Sequence, residues 1–67
     1  MSEVEKEALR NNLEYLHTDF LMLREGSWEP DDESVDSSLT TLEAIHRLLG
    51  LSDHFEKTRD DYESNSL

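Results

Sequence analysis

Apolar side chains return along the first third of the chain at steps of four, three, four and three residues, at Leu9, Leu13, Leu16, Phe20 and Leu23. On a helix that turns about 100° per residue these positions fall on one narrow seam. A looser series, Met1, Ala8, Tyr15 and Met22 with Val4 beside it, recurs every seven residues away from that seam. The first helix therefore carries apolar groups on two faces. One suits a partner helix, and the other suits a second subunit or a foreign protein.

The ends of this helix are marked. Ser2 followed by Glu5 has the spacing of a capping box, and Glu3, Glu5 and Glu7 place negative charge where the helix dipole favours it. Arg24 falls in the last turn, and Gly26 is suited to the left-handed residue that stops a helix. The pattern predicts a helix over residues 3–25, about 33 Å long.

A second stripe runs through Val35, Leu39, Leu42, Ile45 or His46, and Leu49. Two start signals compete for it. Pro30, followed by Asp31, Asp32 and Glu33, suits the first turn of a helix, while Ser37 and Ser38, with Thr40 and Glu43 at capping-box spacing, would start it about two turns later. Val35 continues the stripe across the later break, so the expected helix spans residues 30–49 and ends at Gly50, with Leu51 making the contact that accompanies such a stop. Ser52 and Asp53 can cap a short third helix over residues 53–61, whose apolar face, Leu51, Phe55 and Tyr62, is sparse. Residues 1–62 are expected to form a single helical domain, and residues 63–67 a disordered tail.

The expected fold class is all-α, an antiparallel helical hairpin with a short third helix. The strict seam should close against Val35 to Leu49, giving a core of Leu9, Leu13, Leu16, Phe20, Leu23, Leu39, Leu42, Ile45 and Leu49. A chain of 67 residues without cysteine buries too little surface for a hairpin to be stable alone. Pairing as a homodimer into a four-helix bundle completes such a core, and the layout is similar to that of small helical hairpins that do so.

Charge narrows the choice of partners. Seventeen acidic residues against six basic ones leave a net charge of −11, and the basic residues are scattered. That argues against direct binding to nucleic acid, because phosphate contacts need clustered Lys and Arg. The acidity is read as a solvated surface, as adaptation to high salt, or as a working surface that meets a basic protein or imitates the phosphates of DNA. The longest apolar run, Phe20-Leu21-Met22-Leu23, falls far short of the ~20 residues that cross a membrane. The acidic N-terminus lacks the features of a signal peptide, so a cytoplasmic location is expected.

One phrase carries latent chemistry. LExxH occurs twice, as Leu13 to His17 and as Leu42 to His46, and Glu-x-x-His on two helices is the phrase that di-iron bundles use. The metal candidates are thus Glu14, His17, Glu43 and His46. Two considerations weigh against a site. The two Glu residues lie toward solvent, and the two His residues stand at different levels of an antiparallel hairpin, so boundary histidines packed on leucine are the preferred reading. His54 is read as an exposed residue in the first turn of the third helix. With no cysteine, two glycines and no supported nucleophile, the chain is read as having no enzymatic activity and no cofactor. Trp28, at the turn, serves either to cap the core or to anchor a partner. Tyr15, Met22 and Trp28 are the candidate partner-binding residues. The expected function is a small acidic protein-protein interaction or regulatory module acting as a homodimer. The alternatives are an acidic decoy for a nucleic-acid-binding protein and a metal-binding bundle built on the two LExxH phrases.

Overall fold

The computed structural model describes residues 1–66, the side chain of Ser66 aside, and contains three helices in chain order: α1 (Glu3–Glu25), α2 (Asp32–Leu48) and α3 (Ser52–Ser66). No strand occurs among the described residues. The first helix has the predicted bounds because both of its end signals operate. The Ser2 hydroxyl accepts from the Glu5 amide (3.1 Å), and Glu5 Oε1 accepts in return from the Ser2 amide (3.0 Å). At the other end Gly26 adopts φ 77°, and the amides of Gly26 and Ser27 donate to the Leu23 and Met22 carbonyls (3.2 and 3.0 Å). Gly50 repeats the device at φ 73°, with Gly50 and Leu51 donating to Arg47 and His46 (3.1 and 2.7 Å). A Cβ at either glycine would meet nothing within 4 Å. The cost of alanine there is therefore one of backbone conformation, about 1 kcal/mol.

The second helix starts between the two competing signals. Its N-cap is Asp31, whose carboxylate accepts from the Ser34 amide (2.8 Å). Pro30 thus lies just outside the helix rather than opening it, because a carboxylate at the cap satisfies an end amide that proline would leave to water. The third helix runs past the expected stop at residue 61 and continues through positions 63–66, where a disordered tail was expected; Leu67 lies outside the described residues. The surface ion pair Lys57–Asp61 (3.2 Å) links successive turns of that extension.

α1 and α2 form the expected antiparallel hairpin, but the strict seam does not close it. Of the nine expected core residues only Ile45 is buried, at 6% exposure, while Leu9 and Leu16 are half-buried. Leu13, Phe20, Leu23, Leu39, Leu42 and Leu49, together with Val35, remain 36% to 63% exposed. The less exposed positions are Ala8, Leu9, Asn12, Leu16, Asp19 and Met22 on α1, and Ser34, Ser38, Thr41, Glu43, Ala44, Ile45, His46 and Leu48 on α2. The hairpin closes on a mixed face, in which small and polar side chains accompany Leu16, Ile45 and Leu48. The Ser38 hydroxyl donates to Asp19 Oδ2 across it (3.0 Å). Small residues let two backbones approach closely, and this shifts the contact face of α1 by roughly one residue position around the helix from the leucine seam.

α3 packs on α2 and makes no contact with α1 among the described residues. The His46 ring lies 5.2 Å from that of Phe55 and is stacked at 6.1 Å on that of His54, while its Nδ1–H donates to the Leu42 carbonyl (2.8 Å). The molecule is a slab, 37 × 33 × 17 Å.

Candidate functional site

The two flanks of the hairpin differ in chemistry. On one flank Tyr15 and Met22 of α1, Trp28 of the connection, and Glu33, Ser34 and Ser37 of α2 line a groove of about 720 Å³. Helical geometry places Leu13 and Phe20 on the opposite flank, which they share with Val35, Leu42 and Leu49 of α2. The flank with the groove is acidic with an apolar floor, and the other is broadly apolar.

The groove brings together all three residues expected to meet a partner. Tyr15 and Met22 stand seven residues apart and so lie two turns along one line of α1. Trp28 reaches the same groove from the connection, because the stop at Gly26 turns the chain back over the last turns of α1. Tyr15 is 50% exposed, while Met22 and Trp28 are half-buried. Trp28 is thus partly covered and at the same time lines the groove.

The walls hold residues that the apolar pattern did not single out: Glu14, Asp19, Asp31 and Glu33. Two of them are held in place. Asp19 accepts from the Ser38 hydroxyl, and Asp31 caps α2. The Ser34 amide lowers the Asp31 carboxyl below the usual carboxylate range. Glu14 and Glu33 make no ion pair among the described residues, and no Lys or Arg lines the groove. A signal for the walls existed in the sequence. Asn11, Glu14 and Thr18 follow one another at steps of three and four residues, so a polar line borders the Tyr15 to Met22 line on the helix.

The LExxH residues do not converge. Glu14 lies in the acidic groove, His17 is exposed, Glu43 pairs with Arg47 (3.1 Å), and His46 is engaged with Leu42 and α3. Among the described residues no three His, Asp or Glu side chains are gathered as a metal ion requires. His54 is exposed as expected, yet its ring stacks on that of His46.

A second groove, between α2 and α3, is lined by Leu39, Leu42, His46, Phe55 and Tyr62, with Arg59 set among Asp36, Glu43 and Glu63. It opens beside the apolar flank and continues it. No helix among the described residues is long and apolar enough to cross a membrane. Comparison with protein-family models, curated proteins and solved structures found no match to this chain.

Proposed function

We propose that the chain is a non-enzymatic protein-protein interaction or regulatory module that works as a homodimer, paired through its apolar flank into a four-helix bundle. The observation that carries this reading is the exposure of Leu13, Phe20, Leu23, Val35, Leu39, Leu42 and Leu49, which lie 36% to 63% open, while Ile45 alone is buried among the described residues. At these exposures the seven side chains present apolar surface on the order of 500 Å². A standard interface takes about 800 Å² from each partner, some two-thirds of it apolar at the core. The flank therefore matches half of a dimer interface. A second copy supplies an identical flank, as the two-fold symmetry of such dimers requires. The acidic groove lies on the other flank, so a chain of net charge −11 can pair through this one while the groove carboxylates stay in solvent.

Sedimentation equilibrium over a hundredfold range of concentration tests the pairing. The expected result is a dimer whose Tm rises with protein concentration. Phe20→Glu with Leu42→Glu should shift the chain to monomer or unfold it. A wild-type chain that is fully folded, strictly monomeric and constant in Tm would refute the homodimer.

A further inference from the structure

We infer that the acidic groove between α1 and α2 is the docking site for a basic amphipathic helix of another protein. The inference rests on the reading of the chain as an interaction module, and the groove lies on the flank opposite the one assigned to the second copy.

Charge decides the sign of the occupant. Four carboxylates, those of Glu14, Asp19, Asp31 and Glu33, line the groove without a basic side chain among them. The N-terminus of α2 contributes the equivalent of about +0.5 charge, which offsets only a small part of that. Elsewhere, Lys6, Arg10, Arg47, Lys57 and Arg59 pair with carboxylates along their own helices, as in Lys6–Glu3, Arg10–Glu7 and Arg47–Glu43. The groove between α2 and α3 has Arg59 within it, so it lacks this one-sided field. Asp19 and Asp31 each use one oxygen on Ser38 and Ser34, which fixes the carboxylate and leaves its second oxygen for a cation.

The floor decides that the occupant is more than a cation. Tyr15, Met22 and Trp28 offer a line of polarizable apolar surface, and methionine and aromatic residues are enriched where one protein grips another. From Asn11 to Met22 the α1 wall is about 17 Å long, three turns of a helix. The all-helical walls have no free backbone ladder, so an incoming segment must satisfy its own backbone hydrogen bonds, as a helix does. Its apolar stripe would lie on the floor, and its Lys and Arg would meet the walls.

Trp28, the sole tryptophan, reports on the groove directly. The probe is a tryptophan-free 18-residue peptide of Leu and Lys, with Leu at i, i+3, i+4 and i+7 spacing, titrated into the full chain. The expected result is a saturable blue shift of Trp28 emission at one peptide per chain. Glu14→Gln with Glu33→Gln should weaken it at least tenfold, and so should Met22→Ala. Glu25→Gln with Glu56→Gln removes the same charge outside the groove and should change affinity less than twofold. A scrambled peptide that binds as well, or equal loss from the two Gln pairs, would reduce the effect to bulk attraction and overturn the site. A blue shift that grows with protein concentration without peptide would show a second copy in the groove and also overturn it. Sedimentation of the same samples separates the two readings: an intact dimer that ignores the peptide refutes the groove alone, and a peptide-binding monomer refutes the homodimer alone.

Discussion

Single residues set where the helices begin and end. Ser2, Asp31, Gly26 and Gly50 act through one or two hydrogen bonds each, and none depends on a distant contact. Asp31 shows how such a local contact becomes a property that can be measured. Its carboxyl is held below the usual range by the Ser34 amide, so its contribution to stability is present above the pKa of the unfolded chain, about 3.9. That contribution is lost as pH falls through the lower folded value. Asp31→Asn keeps the cap acceptor and removes the charge. The difference in Tm between wild type and Asp31→Asn should favour wild type at pH 7 and shrink toward zero below about pH 3. Thermal scans across that range check it, and a difference independent of pH would contradict the assignment.

Between elements, the hairpin and α3 are held by different chemistry. α1 meets α2 through small and polar groups around Asp19–Ser38, with Ile45 as the buried apolar centre. Among the described residues α3 meets α2 and not α1, and its attachment centres on Phe55 against His46. A helix of this length is marginal by itself, so its order rests on that attachment. Phe55→Ala should lower amide-exchange protection across residues 52–66 at least tenfold while α1 and α2 change little. Equal loss across all three helices would mean that the chain unfolds as one unit. The choice of hairpin face belongs to this scale too. The regular spacing of Leu13, Phe20 and Leu23 identifies an apolar stripe, yet it does not say which surface covers the stripe. The face that meets α2 instead carries Ala8, Asn12, Leu16 and Asp19, with Asp19 bonded to Ser38.

For the whole molecule, charge and shape act together. A slab 17 Å thick with a net charge of −11 has few places to put apolar groups away from water, and its like charges repel in the compact state. Ion pairs among the described residues join neighbours within one helix and are exposed, so they do little to offset that repulsion. Raising NaCl from 0.05 to 0.5 M shortens the screening length severalfold and should raise Tm by about 5 °C. A Tm that falls with salt would show that attractive pairs outweigh the repulsion.

Local rules acting on nearby residues determined the helices from sequence alone. The capping box at Ser2, the glycines at 26 and 50, and the 3.6-residue apolar spacing each depend on groups a few positions apart, and so α1 is legible to its ends. Tyr15, Met22 and Trp28 were legible as unusual residues, but their meeting in one groove depends on the turn after Gly26 and on the side of α2 that faces α1. Only the tertiary structure decided that a mixed face around Leu16, Asp19, Ser38 and Ile45 closes the hairpin while Leu13, Phe20 and Leu23 of the seam stay open. Periodicity reports where apolar groups lie around a helix, whereas the choice between two faces depends on how closely two particular surfaces can pack.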